Sequence, residues 1–338
     1  MLVGTHDFRR RSLLRRSKSA CLILLLASSV LASNVAVGEA ASSAPQPGHW
    51  STATRIDASS ASRSEVTYAV SCPTPSFCVV VNGNGDANLW RDGKWSSSTS
   101  LHAGGSLSSV SCPTKSRCVA VSDGGQAVSY DGHAWTSVGP VGPQATYVVS
   151  CAGTSFCAAV GANGVAGKPS TLATYNGSTW SSKQTARGGA NDRLMSVSCV
   201  SPTFCVAVNF DGQFLMFNGT SWKAGKRTGP KKLISVSCVT RAFCMAVSVS
   251  GLEATFNGTR WTSGLIPMYK SAFAYSVSCA SGSSCVVVGL SGAATTWNAG
   301  MWSKPVAVLP GGYVAGVNVS CSSTSCMAVD DKGESATY

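Results

Sequence analysis

Val236-Ser237-Cys238-Val239-Thr240-Arg241-Ala242-Phe243-Cys244-Met245-Ala246-Val247, then Gly251, then Phe256-Asn257-Gly258-Thr259-Arg260-Trp261, is the stretch on which the fold turns. It sets two cysteines five residues apart, follows the second with a short β-type run, and closes with an aromatic, an Asn-Gly pair and a tryptophan. Asn-Gly between short β runs is the usual two-residue hairpin connection, because both central residues need positive φ. The stretch therefore predicts four antiparallel strands: one ending at Val-Ser-Cys, one starting at the second cysteine, one ending at the aromatic, and one around the Trp.

Outward from there the unit recurs. Val-Ser-Cys occurs seven times, ending at Cys72, Cys112, Cys151, Cys199, Cys238, Cys279 and Cys321. The second cysteines are Cys78, Cys118, Cys157, Cys205, Cys244, Cys285 and Cys326, with four residues between the last pair and five between the others. Seven residues beyond each stands a glycine, from Gly85 to Gly333, and twelve beyond stands Trp90, Tyr130, Phe217, Phe256, Trp297 or Tyr338. In the third repeat that interval is eighteen, which places Tyr175 there and marks an insertion at Val165–Pro169. Trp95, Trp135, Trp180, Trp222, Trp261 and Trp302 follow the aromatics by five residues. Four antiparallel strands at a period of about forty residues describe a propeller blade.

The seventh repeat stops at Tyr338 without its turn and Trp, and Pro47-Gly48-His49-Trp50-Ser51 supplies a spare copy of that missing strand. The expected fold is thus all-β: a seven-bladed β-propeller of four-stranded antiparallel blades over 47–338, closed by an N-terminal strand that completes the last blade. Closure of this kind removes two open sheet edges. Composition agrees, since only 12% of residues are charged and no long window after residue 40 has helical periodicity.

The first forty residues read as a targeting segment. Arg9, Arg10, Arg11, Arg15, Arg16 and Lys18 precede an apolar run from Ala20 to Ala32 that is too short for an ordinary membrane span. Small residues suit cleavage after Ala32 or as late as Ala40; an uncleaved anchor is the alternative, and the only membrane role the sequence offers. Residues 1–32 are thus expected to be a signal peptide and 33–46 a short linker, with the protein secreted or associated with a cell wall. Without residues 1–32, 20 Lys and Arg remain against 13 acids, a net +7 instead of the precursor's +12. Much of the basicity belongs to the export signal, so no nucleic-acid partner is expected.

Fourteen cysteines in pairs, in an exported chain, fit an oxidising compartment. Each pair flanks a hairpin loop and can face across a non-hydrogen-bonded position, where Cα atoms lie about 4.5–5.5 Å apart. Disulfides Cys72–Cys78, Cys112–Cys118, Cys151–Cys157, Cys199–Cys205, Cys238–Cys244, Cys279–Cys285 and Cys321–Cys326 are expected. Reduced core thiols and zinc are the other readings; zinc lacks its Cys-x2-Cys spacing and any recurring histidine. No metal and no cofactor are expected. The repeated Trp is read as packing between blades, with a sugar-stacking platform as the alternative.

Strand alternation puts the cysteine loops and the Asn-Gly turns on one face of the disk. The other face carries the turns between second and third strands and the connections to the next blade. Those connections vary, the next Val-Ser-Cys cysteine following each Trp by 16 to 22 residues, and function on a rigid scaffold favours variable loops. The connection after Trp222 carries Lys223, Lys226, Arg227, Lys231 and Lys232; the one after Trp180 carries Lys183, Arg187 and Arg193; Tyr269 and Tyr313 lie in others. A basic, aromatic-bearing rim suits an anionic glycan or wall polymer, or an acidic extracellular protein; solvated loops that keep the chain soluble are the plainer reading. No catalytic residues emerge, because Asp330 and Asp331 are adjacent and would point to opposite strand faces, and no hydrolase or phosphate-loop motif occurs.

The repeat Val-Ser-Cys…Cys-Val-Ala-Val…Tyr-Asn-Gly…Trp resembles tandem propeller repeats of secreted bacterial proteins. Its layout is similar to that of BNR/Asp-box and photosystem-assembly-factor-like propellers. It departs from the Asp-box, since Trp135 follows Asp131 by four residues, one fewer than that motif wants, and sialidase activity is not carried over. The resemblance implies a binding or scaffolding module. Three functions remain open: a monomeric glycan- or wall-polymer-binding module, a protein-interaction scaffold, and a propeller hydrolase or lyase.

Overall fold

The serine of Val-Ser-Cys has a structural task that the repeat alone does not reveal. In the computed structural model, which describes residues 49–57, 68–162, 169–185, 193–225, 230–268, 273–310 and 316–338, the strand ending at Val-Ser-Cys is the innermost of each blade. An innermost strand is a sheet edge, and its N–H groups need partners. Each blade supplies one to the next: Ser71 Oγ accepts from the Cys112 N–H, Ser111 from Cys151, Ser150 from Cys199, Ser198 from Cys238, Ser237 from Cys279, and Ser278 from Cys321. Ser320 accepts from Cys72, so the circuit closes on itself, every bond at 2.8–3.0 Å.

Every blade has the same up-and-down order. Blade five runs Leu233–Thr240, Phe243–Ser248, Leu252–Phe256 and Trp261–Leu265, each strand bonded to the next. In blades one and six the outer strand is split, into Lys94–Trp95 with Thr99–Ser100 and Met301–Trp302 with Val306–Ala307. No helix occurs among the described residues. The expected signal peptide and linker fall outside those residues, as do positions 165–168 of the third-repeat insertion.

The core is seven cores, one between each pair of neighbouring blades. The second strands read Val-Val-Val, Val-Ala-Val, Ala-Ala-Val or Met-Ala-Val and are buried on both faces, so their side chains alternate between the preceding and the following blade. Between blades four and five, Val206, Val208 and Phe214 meet Leu233, Val236, Ala246 and Phe256, with Trp261 half-buried against them. Each turn Trp pairs with its own blade's aromatic across the hairpin, as in Tyr130–Trp135 at 5.2 Å and Phe256–Trp261 at 5.1 Å between ring centroids. Such pairs add about 0.5–1.5 kcal/mol beyond area burial. The Trp also faces the preceding blade: Phe214 stacks on Trp261 at 3.8 Å, and the Trp95 indole N–H donates to Ser335 Oγ. At Trp95 and Trp261 the repeated Trp is therefore a packing residue.

Blade seven joins the chain ends. Thr54–Arg55 pairs antiparallel with Glu334–Thr337, as Thr54↔Ser335 and Arg55↔Glu334. Ser51 N–H bonds the Thr337 carbonyl, Ile56 N–H bonds that of Gly333, Trp50 packs on Tyr338, and Arg55 pairs with Glu334 at 3.3 Å. The N-terminal segment does complete the last blade.

All seven expected disulfides are formed. Their Cα separations, 3.9–4.1 Å, are shorter than the sequence reading expects. In blades four, five and six the hairpin continues past the bridge, with a register shift, to pairs such as Ser201↔Phe204. In blades three and seven the ladder ends at the cysteine pair, at the same short separation.

The turns between second and third strands are capped by one recurring position. Asn82 Oδ1 accepts from the N–H groups of Asn84 and Asp86, Asn209 Oδ1 from Asp211 and Gln213, and Asp330 Oδ1 from Lys332 and Glu334. Asp330 is fully buried and its second oxygen has no hydrogen-bond partner. Burial raises its carboxyl above the ordinary value, helped by Asp331 and Glu334 and opposed by the two turn N–H groups. A carboxyl raised in the folded state favours folding as it takes up its proton and opposes folding once pH climbs through the folded value. Asp330→Asn keeps the capping oxygen that blades one and four use. It is expected to stabilise the protein by about 1 kcal/mol at neutral pH, a rise of about 2–4 °C in Tm, with no gain below about pH 4. Thermal melts at both pH values check this; a lower Tm at neutral pH would contradict it.

Candidate binding groove between blades three and four

Between the outer halves of blades three and four the packing leaves a groove of about 600 Å³, open at the rim of the disk. Its walls follow from strand register. On blade three, Leu172 pairs with Lys183 and Thr174 with Ser181, so these four side chains share the face turned toward blade four. On blade four, Leu215, Phe217, Trp222 and Ala224 turn the other way and meet them. The matching space between blades four and five is filled by Phe214 stacked on Trp261; here Leu172 stands in the Phe214 position and leaves room.

The upper end of the groove lies at the turn Gly219-Thr220-Ser221, where Asn218 Oδ1 accepts from the Thr220 and Ser221 N–H groups. The lower end is formed by Gln184, Thr185 and Gln213, the last donating to the Gly225 carbonyl at 3.4 Å. The lining mixes hydroxyls, two side-chain amides and one ammonium with Leu172, Leu194, Leu215, Phe217 and a half-buried indole, and includes no carboxylate, histidine or cysteine.

The sequence-selected basic residues divide around this groove. Lys223 lies on blade four's outer strand opposite Met216, on the face turned away from the groove. Arg193 is half-buried, 5.5 Å over the Phe210 ring, and its carbonyl accepts from the Phe210 N–H. The Lys232 N–H donates to the Phe210 carbonyl, which brings Arg193 and Lys232 to one corner of blade four. Lys231 and Lys232 are exposed; their carbonyls accept from the Ser248 hydroxyl and the Val249 N–H. Arg187, Lys226, Arg227, Tyr269 and Tyr313 lie outside the described residues. The chain passes from the lower mouth of the groove, at Thr185 and Gly225, into the two connections that carry Arg187 and Lys226-Arg227.

Sequence reasoning missed the groove. Its signal was weak: Leu172 at the position where blade four has Phe214, and Ser181 with Lys183 on an outer strand. No carboxylate lines this groove. Glu253 is buried, its pKa raised by burial and lowered by a hydrogen bond with Trp302, and Asp330 is the turn cap described above.

Fold and groove together define the class: a seven-bladed β-propeller with disulfide-bridged blades and a mixed polar and apolar groove between two of them. Solved structures of the same architecture include YCF48 bound to D1 peptide, with a TM-score of 0.62, 15% identity, and coverage of 86% of this chain and 94% of that one. They also include the WD40 propeller domain of Doa1, at 0.63 and 14%, covering 81% and 92% of the two chains. A catalytically inactive virginiamycin B lyase from Staphylococcus aureus with quinupristin gives 0.69 and 7%, covering 86% and 99%. At these identities the likeness is one of fold. No protein-family model and no curated protein matches the sequence.

Proposed function

We propose that this chain is an exported, non-catalytic binding module that holds a glycan or cell-wall polymer along the groove between blades three and four. The observation that carries the reading is the lining: Trp222 beside Thr174, Ser181, Thr220, Gln184 and Gln213, with Lys183 as the charged group and no acid or nucleophile. Sugars present hydroxyl edges to amides and hydroxyls and C–H faces to aromatic rings, whereas hydrolysis of a glycosidic bond needs paired carboxylates. The basic residues Arg187, Lys226 and Arg227 follow the lower mouth in sequence and suit an anionic polymer leaving it. Residues 1–32 act as the export signal, and seven disulfides suit the oxidising compartment beyond the membrane.

A second reading has its own observation. Blade three's outer strand, Trp180–Gln184, pairs with Thr171–Tyr175 over five residues without a bulge, and no strand among the described residues pairs with its other edge. An extended peptide of an extracellular protein could add there as a fifth strand, and a YCF48 propeller is known with a bound D1 peptide. Binding of the purified protein to cell-wall fractions, a glycan panel and a peptide array separates the two. Saturable binding to a wall fraction or glycan supports the first reading. Binding to peptides alone overturns it in favour of the second.

A further inference from the structure

The face that carries the cysteine loops and Asn-Gly turns is the one the sequence reading sets aside as regular. Among its described residues are Arg91, Lys94, Lys115, Arg117, Arg241 and Arg260, against the two acids Asp92 and Asp131. The opposite face holds Asp86, Asp123, Asp211, Asp330 and Asp331 in its turns. The opposite face also carries Arg193, Lys231, Lys232 and Lys332, so both faces hold cations; on the cysteine-loop face six stand against two acids among the described residues.

Between blades one and two this cysteine-loop face dips into a pocket of about 340 Å³ whose lining includes Arg91, Lys115, His133, Ser116, Asp92 and Asp131. Its cations are held from neutral groups. The Arg91 guanidinium lies 5.7 Å over the Phe77 ring and donates at 2.7 Å to the Tyr130 hydroxyl, which donates in turn to the Gly132 carbonyl. Lys115 Nζ donates to Ser76 Oγ at 2.9 Å. Neither makes a salt bridge, although two carboxylates stand in the same pocket. Asp131 is committed elsewhere: its Oδ1 accepts from the His133 and Ala134 N–H groups, and those bonds hold its carboxyl below the ordinary value. Two positioned cations, each with donors to spare and none matched to a carboxylate, face one concavity.

We propose that this pocket binds an oxyanion, a phosphate or carboxylate group, borne on an extended polyanionic chain. Arg91 offers its remaining fork N–H groups, Lys115 its two free protons, and Ser116 a hydroxyl. Lys94, paired with Arg91 across the blade-one hairpin, adds a further exposed cation on the same face and attracts the charges that follow along the chain. The site is separate from the groove of blades three and four and does not depend on what that groove holds.

The test is titration of the purified protein with polygalacturonate, polyphosphate and inorganic phosphate, at low and at physiological ionic strength. Three variants accompany the wild type: Arg91→Gln, Lys115→Glu, and a control, Lys231→Glu/Lys232→Glu, on the opposite face. At least one polyanion is expected to bind, more weakly as salt rises. Arg91→Gln and Lys115→Glu are each expected to lose about tenfold or more, as the loss of one charge-assisted hydrogen bond implies, while the control changes less than twofold. Both pocket residues are exposed, and unchanged melting temperatures will show the variants folded. Polyuronate over polyphosphate assigns a carboxylate, and the reverse a phosphate. No binding by either polymer, equal loss in the control, or inorganic phosphate binding as tightly as the polymers would each overturn the proposal.

Discussion

Removal of residues 1–57 is expected to leave a chain that no longer melts as one cooperative unit and that associates through the opened blade. The deleted segment includes the outer strand of blade seven, the Trp50–Tyr338 ring contact, and Ile56, which is 2% exposed in the core between blades seven and one. Loss of a large buried side chain costs about 3–5 kcal/mol and of a smaller one about 2–5. Together these approach the whole stability of a typical domain, about 5–15 kcal/mol. The unpaired edge of Glu334–Thr337 would then offer itself to another chain. Near-ultraviolet circular dichroism during heating, together with sedimentation velocity, checks this. A truncated protein that stays monomeric and melts within a few degrees of the intact one would show that the ring does not depend on its N-terminal strand.

Reduction of the disulfides has an effect of comparable size by a different route. Each bridge closes a loop of five or six residues and on the chain-entropy estimate contributes about 2 kcal/mol. Summed over the ring this is again of the order of the total stability, because each blade's core is thin. Reduced protein is expected to be unfolded, or to unfold at a small fraction of the denaturant needed for the oxidised form. A single Cys238→Ala/Cys244→Ala variant is expected to lose only about 2 kcal/mol. Guanidinium titrations with and without reductant read both; an unchanged midpoint after full reduction would mean that inter-blade packing alone carries the fold.

The repeat made the blade legible because each of its parts answers a local requirement. Gly85 and its counterparts take positive φ in the turn between second and third strands, and the cysteines flank one turn. In blade five the aromatic and the Trp pair across a four-residue turn in which Gly258 alone takes positive φ and the Asn257 side chain, not an Asn-Gly pair of positive φ, caps the turn. The spare Trp50 announced closure for the same reason. What the sequence left unread depends on which residues meet from different repeats. The serine circuit links residues about forty positions apart, and no pattern within one repeat shows that Ser111 faces the next blade's cysteine. The groove is likewise a difference between two interfaces, Leu172 against Phe214, at a position where any apolar residue satisfies the repeat. The cationic face was passed over because its six Lys and Arg are scattered across turns, whereas Lys231-Lys232 and Lys226-Arg227 are adjacent in the chain. Adjacency in sequence drew attention to the connections, of whose cations Lys183, Arg193, Lys223, Lys231 and Lys232 are among the described residues.

The central claim is that a glycan or wall polymer lies in the groove of blades three and four. Retention of the protein on purified wall fractions and on a glycan panel, compared with that of a Ser181→Trp variant, tests it most directly. Ser181 is exposed on an outer strand and faces Trp222 across the groove, so an indole there fills the site while leaving every core untouched. The account predicts saturable binding by the wild type and a loss of at least tenfold in the variant, with an unchanged melting temperature. Undiminished binding by Ser181→Trp would contradict it and move the ligand to another surface of the propeller.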